Sequence, residues 1–537
     1  MKFSVDKRLH IGEAIYLVYF VLMMGARALG MYEGTTVYTV VLVIAMLLFA
    51  AKMIVTPHTI REYVIAVILM GIAGIVYLHT GEKGLIVCFS MMLGMKGVDR
   101  IKALRYGTIA AAICICGRIV TGVFGLLPEK YYPQVREGIG LMFRHALGYA
   151  HPNTLHMNVL MLSMLLVFLL THYLDKLRSL NDDGRKDYRI WFLIIASLMV
   201  LLFNLYVFQY SGSRTGVLAV TAYLVVNLWF YLRRHAGIFE RMVCYAAYPF
   251  VCFLAIVLPL IIPNSIFEFV DRTLFTTRFS IARYYWSNNH ISLWGIRLNN
   301  PDPLYRTYGI DMSQLYVFLQ LGLVAFAVIA VMTMWYVHQA LKKNHMAELA
   351  VLMGILFAGI WEPFLYNLGF KNFTFVFIGA MMYEVLAEVK TAEGELENND
   401  ESEAVNHVTW FDKYGLVRII CSILLGTVLG CVASSTYVLF TEPPHALYAD
   451  REQDEAGVSF EMEPLYLSVD EIADLKDQGE LIVGYIDENK PMYMYDESIA
   501  VMEYHKRCLS IGVWCGMLVL FISLLLPAGR YPDDISK

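Results

Sequence analysis

Long apolar runs alternate with short polar segments over most of this chain. Runs of roughly twenty apolar residues, the length that crosses a bilayer as a helix, fall near 11–31, 37–54, 62–79, 84–97, 104–127, 153–173, 190–209, 215–232, 242–263, 312–337, 348–365, 371–388, 414–438 and 509–527. The pattern predicts an all-α polytopic membrane protein with about fourteen transmembrane helices. Three polar segments interrupt it. Residues 264–311 form a long loop between two spans. Residues 389–413 are acidic and poor in apolar side chains, the composition of a linker without a packed core. Residues 439–508 read as a small α+β appendage. Within it SVDEIADLKDQG predicts a short helix capped by Ser468 with a capping box to Glu471, and ELIVGYIDENKPMYMYD predicts strand, turn and strand. About seventy residues are marginal for an independent fold, so this appendage is expected to dock on the membrane domain.

Charge then sets orientation. Lys96, Arg100, Lys102 and Arg105 share one short loop, and Lys176, Arg178, Arg185, Lys186 and Arg189 another. Arg233, Arg234 and Arg241 share a third, and Lys342 and Lys343 a fourth. Positive short loops stay in the cytoplasm, which places both termini there too. Segments 128–152, 210–214, 264–311, 366–370 and 439–508 then face outward. Composition agrees with the membrane reading: 58% of the 537 residues are hydrophobic and 17% charged, too apolar for a soluble protein of this length. The net charge of −5 reflects acid concentrated in the two soluble segments. Residues 1–10 are polar and basic, and the first run is long enough to remain as a span, so no cleaved signal peptide is expected. The cysteines lie mostly inside apolar runs and show no metal or disulfide spacing.

Four constellations fall on the outward segments. In the first, Pro152 holds His151 extended and starts a helix behind it, with Asn153 or Thr154 as the cap; that helix N-terminus, beside Arg144 and His151, offers an anion site. The second is the tight turn Tyr210-Ser211-Gly212-Ser213-Arg214, with an arginine at membrane depth. The third is the segment 263–311, whose cations are all arginine: Arg272, Arg278, Arg283, Arg297 and Arg306. Arginine suits bidentate contact with phosphate or carboxylate, so an outward cluster points to an anionic ligand at the outer leaflet. Arg278 and Arg283 alternate with aromatics in RFSIARYYW, a pattern equally suited to an interfacial helix and to a sugar-stacking wall. The segment ends at Asp311-Met312-Ser313-Gln314. The fourth is Trp361-Glu362-Pro363-Phe364-Leu365-Tyr366-Asn367, where Pro363 is expected to break a helix and the Glu362 carboxylate needs a partner, a loop arginine being the candidate. Each has a plain structural alternative: an ordinary capped helix start, an arginine snorkelling to lipid, a helix cap at Asp311, a structural ion pair. Arg118 is a further candidate for the cavity wall. No HExxH, DxD or paired-histidine pattern lies on this face, so neither a metal nor a cofactor is expected.

HPN at a helix start, then SGSRTG between two spans, then an arginine-bearing outer loop ending in DMSQLYVFLQLGL, then WEPFLYN: in this order the motifs resemble the bacterial O-antigen polymerase and O-antigen ligase superfamily, in its capsule and exopolysaccharide form. The resemblance covers roughly residues 10–390. It implies a GT-C-like membrane glycosyltransferase in the bacterial cytoplasmic membrane, with a polymerase- or ligase-like domain at 1–388, a linker at 389–413, a helix at 414–438, the appendage at 439–508 and a final helix and tail at 509–537. Its implied donor and acceptor are undecaprenyl-diphosphate-linked glycans, and its further partners the lipid bilayer and polysaccharide export or chain-length-control proteins, with no nucleic acid. Arg214 matches the family arginine associated with the donor diphosphate. Ser313 and Gly322 match a serine and a glycine that in ligases follow a histidine; Asp311 stands near that place here, which favours a polymerase. The implied chemistry is a metal-independent, inverting transfer in which arginines stabilise the leaving diphosphate. Asp311, His151 and Glu362 are candidate bases. Arg144, Asn153, Ser211, Ser213, Arg278, Arg283 and Asn367 complete the substrate-binding set. A ligase of the same fold, a lipid-linked oligosaccharide flippase and a membrane sensor remain alternatives; a flippase would show two repeated halves, and the halves here show no convincing match.

Overall fold

The computed structural model describes residues 5–31, 35–127, 129–136, 140–180, 189–302, 309–363, 366, 371–392, 413–454, 457–477, 492–495 and 497–525. In chain order the elements are α1 (Val5–Ala28), α2 (Thr36–Val55), α3 (Ile60–Thr80), α4 (Gly84–Leu93), α5 (Arg100–Val123), β1 (Tyr131–Arg136), β2 (Gly140–His145), α6 (Pro152–Leu180), α7 (Arg189–Ser211), α8 (Arg214–Arg233), α9 (Ile238–Cys252), α10 (Leu258–Ile261), α11 (Asn264–Val270) and α12 (Arg278–Asn288). There follow α13 (Ser313–Leu315), α14 (Leu323–Lys342), α15 (Met346–Ala358), α16 (Thr374–Ala392), α17 (Lys413–Phe440), β3 (Ala446–Asp454), β4 (Gly457–Leu465), α18 (Val469–Asp477), β5 (Met492–Tyr495) and α19 (Glu497–Leu525). Among the described residues, 11 helical segments are long and apolar enough to cross a membrane: α1–α3, α5–α8, the continuous α9–α10 run, α14, α17 and α19. The chain is a predominantly helical, multi-pass membrane protein.

The other three predicted spans are helices of a different kind. α4 has 10 residues and α15 has 13, about half the length of a span at ~1.5 Å rise per residue. Nearly every side chain of both is buried. An apolar run reads alike whether lipid or protein surrounds it, and here protein does. α16 has 19 residues but carries Glu384, Glu388 and Lys390 in its second half. The predicted span at 312–337 is interrupted: α13 runs into a π-helical turn at Tyr316–Leu321, and the chain then breaks at Gly322 before α14.

The residues divide into two compact units, one of Met1–Arg27, Met31–Thr108 and His156–Glu397, the other of Ala28–Gly30, Ile109–Leu155 and Asn398–Lys537. The second holds a five-stranded sheet in the order β2-β1-β4-β3-β5. β1 pairs antiparallel with β2 from Tyr131↔His145 to Arg136↔Gly140, and β3 with β4 from Ala446↔Leu465 to Asp454↔Gly457. The predicted appendage therefore shares its sheet with the segment between α5 and α6. Its predicted helix forms as α18, and the Ser468–Glu471 capping box is present. β5 realises the end of the predicted strand pair, whose first strand lies outside the described residues. α17 and α19 pack closely where Gly426 and Gly430 face Gly516 and Gly512, small residues that let two membrane helices approach.

A buried ion cluster ties this sheet to α19. His145 Nδ1 lies 3.1 Å from Glu129 and Nε2 lies 2.7 Å from Glu503, which also pairs with Lys506 at 2.7 Å. Burial alone would push the His145 ring down, but the Glu503 and Glu129 carboxylates more than offset it and raise it to about 9. An imidazole in the unfolded chain titrates near ~6.5. The cluster's contribution is therefore complete below about pH 6.5 and lost as pH rises through about 9, roughly 3 kcal/mol in all. Thermal unfolding of the purified protein should show a melting temperature that falls between pH 6.5 and 9. His145→Gln should flatten that slope; an unchanged slope in the variant would remove His145 as its cause.

Candidate functional site

The polar segment after α10 folds on the first unit as a series of short pieces. Asp271 closes a π-helical turn at Asp271–Phe275 and caps the next helix, accepting from the main-chain N–H of Phe279 at 2.9 Å and of Ser280 at 3.3 Å, and from the Ser280 hydroxyl. The cap starts α12 at Arg278 and fixes the direction of its side chain. Arg278 Nε donates to the Trp361 carbonyl at 2.7 Å and Nη1 to the Phe275 carbonyl at 3.4 Å. The same guanidinium stands 3.8 Å from Asp311 Oδ2 and 4.0 Å from Glu362 Oε1. Thus Arg278 and Asp311, both from the arginine segment, meet Glu362 of the WEPFLYN motif. Burial pushes the Asp311 carboxyl above its ordinary range, and Arg278 pulls it partly back.

Glu362 is placed differently from expectation. α15 ends at Ala358, ahead of Pro363, and Glu362 lies in the turn beyond it, 2% exposed. That turn is pinned from the other side: the Ser313 hydroxyl donates to the Glu362 carbonyl and the Ser313 N–H to the Gly359 carbonyl at 2.9 Å. Asp311 does not cap the following helix, which starts at Ser313 with Met312 as its flanking residue. Beyond α13, the Glu82 carboxylate accepts from the Tyr316 hydroxyl at 2.8 Å and the Gln320 amide at 2.7 Å, holding the π-helical turn. π-helical turns inside helices recur at functional sites.

The SGSR turn is built on a histidine. Ser211 ends α7, Gly212 takes φ +58°, and Arg214 opens α8. Ser211 Oγ bonds His156 Nδ1 at 2.9 Å and accepts from the Ser213 N–H at 3.2 Å. The ring of His156 packs on Gly216 so closely that a Cβ there would overlap it. His156 was visible only as the end of HPNTLH; nothing local in the sequence says that its partner is Ser211. Arg214 is exposed and has no hydrogen bond or ion pair among the described residues.

An apolar cavity of about 590 Å³ runs beside α8, lined among others by Leu218, Trp229, Phe250, Phe275, Phe357 and Trp361. Leu218 is one turn beyond Arg214 on the same helix face. At the other end, Phe275 and Trp361 are the residues whose carbonyls hold Arg278. Two cations that the motifs did not single out, Lys371 and Arg27, influence each other electrostatically. Lys371 is 4% exposed and within electrostatic range of Glu362 and of Arg27. Their only sequence signal is a charge set in apolar surroundings.

The remaining candidates separate from this group. Arg283 spends its donors on protein oxygens: Nε on Pro259 at 2.6 Å, Nη1 on Asn264 at 3.0 Å and Nη2 on Ile262 at 2.9 Å. Its plane covers Phe267 at 3.6 Å, so it acts as a strut between α12 and the end of α10. Arg272 is exposed beside Glu268 at 3.8 Å, and Arg297 is exposed. In the second unit, Arg144 Nη2 donates to Asn153 Oδ1 at 2.5 Å. His151, not Asn153 or Thr154, caps α6: its Nδ1 accepts from the Asn153 N–H at 3.1 Å. Arg118 donates to the Gly148 carbonyl at 2.6 Å. Asn367 and Arg306 lie outside the described residues. Comparison of the chain with protein-family models, with curated proteins and with solved structures gave no match.

Proposed function

We propose that this protein is a polysaccharide polymerase that joins undecaprenyl-diphosphate-linked repeat units at the outer face of a bacterial cytoplasmic membrane. The observation that carries the reading is the junction of cavity and charge: Phe275 and Trp361 line the apolar cavity, and their carbonyls orient Arg278. A ligand with an isoprenoid tail and a diphosphate head satisfies both halves at once, the tail along α8 and the head at the guanidinium. The motif order that resembles the O-antigen polymerase and ligase superfamily supports the same ligand, and Asp311 near the ligase histidine position supports polymerisation.

In the transfer, an acceptor hydroxyl oxygen attacks C1 of the donor sugar from the face opposite the lipid diphosphate. The new C1–O bond forms as the bond to the diphosphate breaks, the diphosphate keeps the electron pair, and C1 inverts. Asp311 takes the hydroxyl proton; its raised affinity for protons suits a base working near neutral pH. Arg278 and Arg214 meet the negative charge that develops on the leaving group, a contribution worth about 10²–10³ in rate per well-placed donor.

Arg214 offers the cleanest test, because it has no hydrogen bond or ion pair to lose among the described residues. Arg214→Ala should leave single repeat units on the cell surface without long chains, and Arg214→Lys should recover part of the chain length. A flippase variant would instead trap lipid-linked repeats inside. Chains of normal length in the Arg214→Ala strain would overturn the assignment of this arginine to the diphosphate.

A further inference from the structure

The end of α8 opposite Arg214 carries a cationic cluster that the glycan transfer does not use. α8 closes on Arg233, residues 234–237 link it to α9, and α9 opens at Ile238. Arg233, Arg234 and Arg241 are all exposed. Apolar side chains stand exposed among them: Ile238 at 82%, Met242 at 64% and Phe239 at 59%. Phe239 packs on Trp229 of α8, with ring centroids 5.4 Å apart. Both helices belong to segments long and apolar enough to cross a membrane. Guanidinium groups on the last turn of one and the first turn of the next, beside an aromatic pair, therefore lie at headgroup depth.

The link between the helices is held in a strained shape. Arg234 takes φ +61° and ψ −45° at the end of α8, where glycine is the usual residue. A side chain kept at a left-handed position points to a use for that side chain. Two contacts hold the backbone there. The Arg234 N–H donates to the Phe230 carbonyl at 3.2 Å, and the Asn344 side-chain amide donates to the Arg234 carbonyl at 2.7 Å. The second contact joins the link to the turn after α14, and so brings the exposed Lys342 to the same end. The neighbouring cations have structural duties as well. Buried Glu240 pairs with Arg233 at 3.0 Å, Arg241 Nε donates to the Ala236 carbonyl at 3.3 Å, and Lys343 is held by Glu384 and Glu388 at 2.6 Å each.

We propose that Arg233, Arg234, Arg241 and Lys342 bind the headgroup of an anionic glycerophospholipid in the leaflet opposite Arg214. The arginine forks suit the lipid phosphate, and Lys342 adds a compact charge. Ile238, Phe239 and Met242 meet the acyl chains. The braced backbone fixes where Arg233 and Arg234 leave the chain before lipid arrives, which lowers the cost of ordering them. A zwitterionic lipid offers the same phosphate and chains but cancels the charge, so the site discriminates against it. None of this depends on what Arg214 binds.

The full-length protein in neutral detergent is titrated with phosphatidylglycerol, or with phosphatidylcholine of the same acyl chains. Bound lipid is counted by native mass spectrometry, and a melting temperature identifies any variant that has not folded. Wild type should bind phosphatidylglycerol at least about tenfold tighter than phosphatidylcholine. Arg234→Gln, Arg241→Gln and Lys342→Gln should each weaken phosphatidylglycerol about fivefold, and the triple variant about 100-fold. Arg233 stays in place so that Glu240 keeps its partner. If the triple variant does not fold, the three single variants carry the test. Arg272→Gln/Arg297→Gln removes two exposed charges from the polar segment after α10 and should change the affinity by less than about twofold. Equal affinity of wild type for the two lipids, or losses below about twofold in all three folded single variants, would overturn the site. A loss in the Arg272→Gln/Arg297→Gln protein as large as in the triple variant would also overturn it, because attraction would then follow net charge rather than place.

Discussion

Arg278→Ala should abolish long-chain product more completely than any other single change in this protein. The side chain is where the pieces of the site meet, so its loss acts twice. On the polymerase reading proposed above, the transition state loses a donor to the leaving group, about 10²–10³ in rate. The fold loses the link among Trp361, Phe275, Asp311 and Glu362: two carbonyls lose their donor, at about 1–3 kcal/mol for each that stays buried and unpaired, and two carboxylates lose the cation they share. Arg278→Lys keeps the charge but cannot reach the Trp361 carbonyl and a ligand together, and should give short chains at reduced yield. The double variant Arg278→Ala/Asp311→Asn relieves one of the orphaned carboxylates and separates folding from chemistry. It should melt above Arg278→Ala and still make no long chains. Surface glycan length in a strain lacking the native copy, with the melting temperature of each purified variant, checks both halves. Chain lengths within about twofold of wild type in a folded Arg278→Ala would remove this residue from the mechanism.

What the sequence shows depends on how local the cause is. The long spans are legible because a run of twenty apolar residues has few other fates. α4 and α15 are legible as helices but not as short buried ones, since the chain does not say whether lipid or protein will cover an apolar face. Glu362 announces its need for a cation, and Arg278 answers it at 4.0 Å. The same logic cannot choose among the loop arginines, and Arg283 is taken up by the main chain of α10 and its neighbours. The sheet is illegible for a different reason. β1 touches β4 at Tyr131↔Phe460, a pairing set by tertiary structure between segments hundreds of positions apart. Lys371 and His156 fall in the same class: each shows an unusual residue in an apolar setting, but its partner is chosen by the fold.

The second large effect concerns folding. Gly322→Ala should prevent the first unit from assembling correctly. Gly322 sits at φ +93°, ψ 168°, a region only glycine enters without strain of about 1–3 kcal/mol. A Cβ there would overlap the Gly295 main-chain nitrogen and lie 2.7 Å from the Leu293 carbonyl oxygen. The close approach has a purpose. A helix broken inside a membrane protein frees main-chain groups that lipid cannot satisfy, and the irregular segment 292–296 satisfies three of them. Ile296 N–H donates to Gln320 at 3.0 Å, and Leu323 and Val324 N–H donate to Ser292 at 3.0 Å and Leu293 at 3.1 Å. Displacing that segment by the width of a methyl group would weaken three hydrogen bonds at about 1 kcal/mol each. With the strain, the total reaches roughly 4–6 kcal/mol, a large fraction of a stability of about 5–15 kcal/mol. It would also loosen the π-helical turn that Glu82 holds and, through α13, the Ser313 contact that fixes Glu362. Gly309 provides the control: among the described residues a Cβ there meets nothing within 4 Å, and its φ is not positive, so Gly309→Ala should melt within about 2 °C of wild type. Size-exclusion yield and melting temperature in detergent separate the two. A Gly322→Ala protein as stable as Gly309→Ala would mean that the crossing at 292–296 does not hold the broken helix together.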